Sequence, residues 1–280
     1  MSFQLSIITI NYNNAFGLKK TMESVAVQTW KSFEHIVVDG NSTDESVNII
    51  KSFDYKNLNW VSEPDTGIYN AMNKGIDKAS GKYLLFLNSG DVLESTNVLA
   101  KVHGYFEKNY SVLSGNIIFN EERGARLRVH PEKMTFSYLV GNAISHPSTF
   151  IKRELFEKYG KYDEDFKIVS DWAFFIKVLG LSNETYMMLP ETITIFDVEG
   201  VSTQQENLKN IYKERNEVLK KYFPRIYNNK NDTYIFSKFI SNHKRLKNLM
   251  LIEEFPFFRK VTTIILTTIG FILKPFKSSK

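Results

Sequence analysis

Cysteine is absent from this 280-residue sequence, so neither a disulfide framework nor a thiolate zinc site can form. Nothing in the composition then asks for an oxidising compartment, and a cytoplasmic location is the expectation. The opening MSFQLSIITINYN has no basic segment ahead of a long apolar run and no small-residue cleavage site, so no signal peptide is expected. Histidine is sparse, at five residues, and none fall at H-x-x-x-H or similar spacing, which argues against a zinc centre. Two nucleotide signatures are also missing. No G-x-G-x-x-G follows the first apolar run and no G-x-x-x-x-G-K-[ST] occurs anywhere, so the dinucleotide and P-loop readings lose their main support. In the C-terminal region the longest uncharged run is Val261 to Leu273. That is short of the roughly 20 residues a bilayer-spanning helix needs.

What is present is enough hydrophobic sequence, 42%, for one sizeable core with a small appended region. Charge is unevenly placed. From Gln204 onward there are 16 Lys or Arg against 6 Asp or Glu, net +10, whereas residues 1–203 carry 20 against 25, net −5. A mildly acidic body joined to a basic, aromatic tail points to a catalytic domain that binds metal through carboxylates and a segment that meets something anionic.

Four apolar strand candidates alternate with helical stripes in the first hundred residues. Leu5 to Ile10 stops at Asn11-Tyr12-Asn13-Asn14, and Leu18, Met22, Val25 and Ala26 follow at helical spacing. Ile36 to Val38 ends in Asp39-Gly40. Ser42 and Glu45 have the spacing of a capping box before a helix carrying Val47 and Ile50. Trp60 to Ser62 ends in Glu63-Pro64-Asp65, and Ile68, Met72, Gly75, Ile76 and Ala79 form the next stripe; Tyr83 to Leu87 ends in Asn88-Ser89-Gly90-Asp91. Such alternation predicts an α/β fold with parallel strands and right-handed crossovers. Ligands of open α/β folds bind where strand carboxyl ends line up, and this sequence puts Asn11, Asp39, Asp65 and Asp91 there. Beyond residue 110 the pattern loosens, with a helix around Asp171 to Leu179 and a polar helix from Gln204 to Tyr222. A soft boundary is expected near residue 203.

A nucleoside diphosphate needs hydrogen bonds to base and ribose, a countercharge, and room for the backbone to approach it. Asp39 and Asp65 can accept from base or ribose donors, and Asp91 can hold Mg²⁺ or Mn²⁺, which suit carboxylate and phosphate oxygens. Taken singly, each Asp also reads as a helix cap or an Asx turn.

The segments SIITINYN, VVDGNSTDES, SEPDTGIYNAMNKGIDKASGKYLLFLNSGD and HPSTFIKRELFEKYGKYDEDFKIVSDWAFFIKV together resemble the family 2 glycosyltransferases of the GT-A fold, especially bacterial enzymes that build O-antigen, capsule or colanic acid. The resemblance runs over roughly residues 4–203. It implies a Rossmann-like, mostly parallel sheet flanked by helices, with residues 1–110 as the nucleotide and metal half, 111–203 as the acceptor-side half, and a helical, basic extension over 204–280. Carried over by position, it places Thr9, Asn11 and Tyr12 beside the nucleotide, Asp39 at the base, Asp65 at the nucleoside, and Gly67 and Asn73 near the donor. Asn88-Ser89-Gly90-Asp91 stands where the family has its D-x-D element, with Asn88 and Gly90 in place of acidic residues and Asp91 keeping the carboxylate for Mn²⁺ or Mg²⁺. Asp171 takes the position of the general base for an inverting transfer; by local pattern it also reads as a cap for a helix beginning at Trp172. His146 falls on the acceptor or diphosphate side and could equally be a packed histidine; Trp172, on the same side, reads more readily as core than as a sugar platform.

The partners so implied are a nucleotide sugar, UDP first, and a saccharide acceptor, often lipid-linked; no nucleic-acid partner is expected. Arg259 and Lys260 before the 13-residue apolar run, and Lys274, Lys277 and Lys280 after it, place cations at both ends, as expected for a helix lying on the anionic inner face of the cell membrane. The same run also reads as a helix packed on the catalytic domain. Two other functions remain: a nucleotidyltransferase that makes nucleotide sugars, for which NYNNAFGLKK is a poor triphosphate loop, and a nucleotide-binding protein without catalysis.

Overall fold

Leu5–Asn11 forms strand β1, and all seven of its residues are buried, as a strand covered on both faces of a parallel sheet requires. The structure, a computed structural model, describes residues 3–121, 124–197, 207–227 and 255–277, with 248 and 252. β2 (Phe33–Asp39), β3 (Leu58–Ser62) and β4 (Tyr83–Phe86) run parallel to β1 in the order β3-β2-β1-β4. The register pairs Asn11 with Asp39 and Asp39 with Ser62, so one row of polar side chains crosses the carboxyl edge. The crossovers are helices α1 (Ala15–Ala26), α2 (Ser46–Ser52) and α3 (Ile68–Lys78).

The sheet continues from β4 through strands of mixed direction. β5 (Val92–Leu93) lies at the far edge, reached through β8 (Thr149–Lys152), β6 (Val112–Glu121) and β9 (Tyr186–Asp197), while β7 (Gly124–Arg128) hairpins onto β6. β8 is antiparallel to both β4 and β6, and β6 is parallel to β9. Short helices α4 (Val98–Val102), α5 (Phe136–Gly141), α6 (Glu154–Tyr159) and α7 (Ser170–Phe175) connect this half. One core cluster joins Leu5, Ile7, Leu85, Phe106, Phe150 and Ile193, and a second joins Leu18, Met22, Val37 and Ile50 under α1 and α2.

The capping box expected at Ser42 does not form. Ser42 donates its backbone N–H and its hydroxyl to Asp39 instead, α2 starts at Ser46, and Asp44 Oδ1 accepts the Ser46 N–H at 3.0 Å. A buried carboxylate 2.6 Å away outcompetes a local cap for that hydroxyl.

The chain divides into two compact units, Met1–Val218 and Leu219–Lys280; the boundary expected near residue 203 lies outside the described residues. α8 (Leu208–Tyr222) begins in the first unit, where Val218 is fully buried. In the second, α9 (Pro224–Tyr227) is followed by α10 (Pro256–Lys277). α10 contains the whole run Val261–Leu273 and exposes Phe257, Ile264, Ile265 and Phe271. Among the described residues no helix is long and apolar enough to cross a membrane.

Candidate active site

Asp39 is the hub of the strand edge. It is fully buried and accepts from Asn11 Nδ2 at 2.7 Å, Ser42 Oγ at 2.6 Å, Ser62 Oγ at 2.6 Å and Ser42 N at 3.0 Å. Burial pushes its pKa up, but these hydrogen bonds outweigh burial and hold it below the ordinary carboxylate value. The stabilisation is therefore fully present above the unfolded carboxylate's pKa and is lost as pH falls through the lower folded value. Asp39→Asn should cost about 1–3 kcal/mol near neutrality, because its amide turns a donor toward existing donors. Urea melts should show that gap closing in acid; a gap independent of pH would contradict this assignment.

In front of this hub lies a cavity of about 580 Å³ along the carboxyl ends of β1 and β4, where open α/β sheets bind ligands. Asn11, Tyr12, Asp65, Asn88, Ser89, Asp91 and Asp171 line it, so seven of the residues singled out from sequence converge there. Asn11 Oδ1 accepts from Ser89 Oγ at 2.8 Å, which ties the nucleotide motif of β1 to the loop after β4. Tyr12 is 67% exposed at the rim and presents a ring for stacking. Asp65 Oδ1 accepts the Gly67 N–H at 2.9 Å, and Gly67, at φ +138°, makes the turn into α3.

Thr9 and Asn73, expected beside the nucleotide and the donor, stay out of the cavity. Thr9 is fully buried, with its hydroxyl 2.9 Å from His35 Nε2; burial lowers the His35 pKa to about 3, so this pair is a neutral core contact. Asn73 is also buried, and its amide is engaged by Tyr162 O, Glu164 and Tyr162 N. Asp39 and Gly67 are likewise absent from the lining, and Asp39 acts through Asn11.

The loop after β4 fits a hard divalent cation with few protein ligands. Asp91 lines the cavity, and its Oδ2 accepts the Asn88 N–H at 3.0 Å. Asn88 Oδ1 is buried with no hydrogen-bond partner among the described residues, an orphaned oxygen that a cation would satisfy. Gly90 has φ +111°, where an acidic side chain would be strained, which accounts for glycine at this position of the motif. Among the described residues no three His, Asp or Glu side chains cluster as a metal cage. One carboxylate and one amide oxygen, completed by diphosphate oxygens and water, is a usual environment for Mg²⁺ or Mn²⁺. Lys20, which the sequence reading passed over, lines the same cavity with its ammonium 4.3 Å from the Phe16 ring centre. It adds positive charge without a metal.

Asp171 also lines the cavity, from the first turn of α7. The carboxylate accepts from Tyr69 OH at 3.0 Å on Oδ1 and meets His146 Nδ1 at 3.2 Å on Oδ2. Burial pushes the Asp171 pKa up, yet the hydrogen bond and charge of His146, with the bonds from Trp172 N and Tyr69, bring it below the ordinary value. The group is ionised at neutral pH. Tyr69 is pushed well above the usual phenol range, by burial first and then by the Asp171 charge, so it remains a donor. The far nitrogen of His146, Nε2, lies 3.4 Å from Asn88 Nδ2, linking the carboxylate to the loop after β4. His146 is thus a bridge rather than an isolated packed ring. Trp172, in contrast, is 2% exposed and its indole N–H donates to Leu139 O at 2.7 Å, so its placement on the acceptor or diphosphate side gives way to a core role.

Solved structures share this architecture. TarS residues 1–349 of S. aureus, in complex with UDP-GlcNAc, superposes with a TM-score of 0.64 at 19% identity, over 78% of this chain and 67% of that one. The mannosyltransferase PcManGT from Pyrobaculum calidifontis, in complex with GDP-Man and Mn²⁺, gives 0.58 at 14% identity over 100% of this chain and 89% of that one. Sequence relatives are nearer. An uncharacterized glycosyltransferase of Mycobacterium tuberculosis is 34% identical over 215 residues, 72% of this chain and 78% of that protein. A PGL/p-HBAD biosynthesis glycosyltransferase of Mycobacterium bovis is 33% identical over 177 residues, 61% and 68% of the two. The model of glycosyl transferase family 2 matches residues 6–174, a span that holds every cavity carboxylate and the loop after β4, and the chain accordingly belongs to the family 2 glycosyltransferases.

Proposed function

We propose that this glycosyltransferase moves a sugar from a nucleotide-sugar donor to a saccharide hydroxyl with inversion, using Asp171 as general base. The observation that carries the reading is one cavity lined both by the ionised Asp171 carboxylate and by the Asn88–Asp91 loop. Asn11, Tyr12 and Asp65 take the nucleoside, and Ser89, Lys20 and the loop after β4 take the diphosphate. Asp91 and Asn88 would hold Mn²⁺ or Mg²⁺, which when bound neutralises charge on the departing diphosphate. Asp171 Oδ1 accepts from Tyr69 and Oδ2 meets His146, and with these bonds made the carboxylate still has a lone pair for the acceptor proton. UDP is the first candidate nucleotide, supported by the UDP-GlcNAc complex of TarS, with GDP second from the mannosyltransferase. Calorimetry against UDP, GDP and dTDP sugars, with and without Mn²⁺, tests the donor class. Saturable binding of one nucleotide, strengthened by Mn²⁺, is expected; no binding by any of them removes the reading.

The acceptor is a lipid-linked saccharide in bacterial polysaccharide or glycolipid assembly, reached from the inner face of the membrane. α10 supports this with exposed apolar side chains beside Arg259 and Lys260, the pattern of a helix lying in the headgroup region of an anionic leaflet. Its 22 residues span about 33 Å along the surface. Tyr234, Phe236 and Phe239, which add aromatic character to the same basic tail, lie outside the described residues. The full chain should float with anionic liposomes at low salt, and a version ending at Asp232 should not. Equal recovery of the two would remove the membrane role.

A further inference from the structure

α8 lies beyond the segment matched by the family model, yet it grips the chain on both sides of Asp171. Glu214 Oε1 accepts the Lys167 N–H at 3.0 Å, and Oε2 accepts those of Ile168 at 3.0 Å and Val169 at 3.2 Å. These are three consecutive amides entering α7, whose N-cap, Val169, provides no side-chain cap. Lys167 and Ile168 precede the helix and Val169 is its N-cap, and a carboxylate facing several amides makes charge-assisted bonds of roughly twice the usual strength. On the other side of Asp171, the Arg215 guanidinium lies 4.8 Å from the Trp172 ring centre. The clamped segment also reaches the base directly, because Ile168 O accepts from the same Tyr69 hydroxyl that donates to Asp171 Oδ1.

We propose that Glu214 is a positioning residue for the base: by clamping the amides of residues 167–169 it fixes the entry to α7 and hence the aim of the Asp171 carboxylate. This rests on Asp171 being the base. A carboxylate displaced by about 1 Å can cost about 10²-fold in rate, so losing the clamp acts on turnover rather than on donor affinity. The expectation concerns the full chain. Glu214→Gln keeps size but turns an amide N–H toward backbone donors, and Glu214→Ala removes all three bonds. Both should lower kcat by about 10–100-fold, leave the UDP titration and the donor KM unchanged, and speed hydrogen exchange in residues 167–170. Glu214→Asp should recover part of the loss.

A cycle with Asp171→Asn separates this role from general support of the fold. Turnover is read as nucleoside diphosphate release from the donor identified by calorimetry. If Glu214 acts through the base, Glu214→Gln lowers the wild-type rate but leaves the residual rate of Asp171→Asn unchanged. Equal fold-losses in both backgrounds, or wild-type turnover with unchanged exchange in Glu214→Gln, would overturn the proposal. Wild-type turnover in Asp171→Asn alone would instead remove the base assignment on which it stands.

Discussion

Asp171→Asn should lower turnover by about 10²–10⁴-fold, the range for losing a general base, while UDP affinity stays near that of the wild type. Asparagine keeps the shape of the side chain, so Oδ1 still accepts from Tyr69 OH. The amide nitrogen can donate to His146 once the imidazole carries its proton on Nε2. What disappears is the basicity needed to take the acceptor proton as the acceptor oxygen attacks the anomeric carbon. The nucleoside end of the cavity, at Asn11, Tyr12 and Asp65, is left as it was. Steady-state kinetics beside a UDP titration check both halves. Near wild-type turnover would move the base elsewhere. Asp163 and Asp165, upstream in the same segment, do not line the cavity, whereas Asp65 does.

Asp91→Asn should abolish transfer and weaken Mn²⁺-dependent UDP binding by about 100-fold or more, since changing even an outer partner of a metal ligand commonly costs 10–100-fold. The fold should survive, because an amide oxygen can still accept the Asn88 N–H that Asp91 Oδ2 now takes at 3.0 Å. With Asn88 offering only a neutral oxygen and glycine fixed at residue 90 by its backbone, the loop has no second carboxylate to compensate. Binding that Lys20 supports without metal should persist, so UDP affinity measured in EDTA should change little. Unchanged Mn²⁺ stimulation in this variant would place the cation elsewhere.

The strand ends were legible because their signals are local: apolar runs stopped by Asn, Asp and Gly predict both the sheet and the edge where Asn11, Asp65 and Asp91 converge. Thr9 was misplaced because proximity to a motif does not reveal which neighbour covers a side chain. Here His35, on the adjacent strand, occupies the Thr9 hydroxyl. Ser42 carried a valid local capping pattern that a tertiary partner, Asp39, overrode. Tyr69 and Glu214 escaped notice for a different reason. Their links to the base segment span 102 residues for Tyr69 to Asp171 and 45 to 47 for Glu214 to its three amides, separations at which no periodicity or spacing rule operates. Trp172 shows the opposite case, where the plain expectation of a buried aromatic was the correct one.

The most direct test of the central claim is to incubate the protein with a labelled nucleotide sugar, a lipid-linked saccharide and Mn²⁺, and to determine the anomeric configuration of the product by NMR. Label in the extended saccharide, with the donor's configuration inverted, and none with Asp171→Asn, is the result this account predicts. Retained configuration, or nucleotide binding without any transfer to a saccharide, would contradict it.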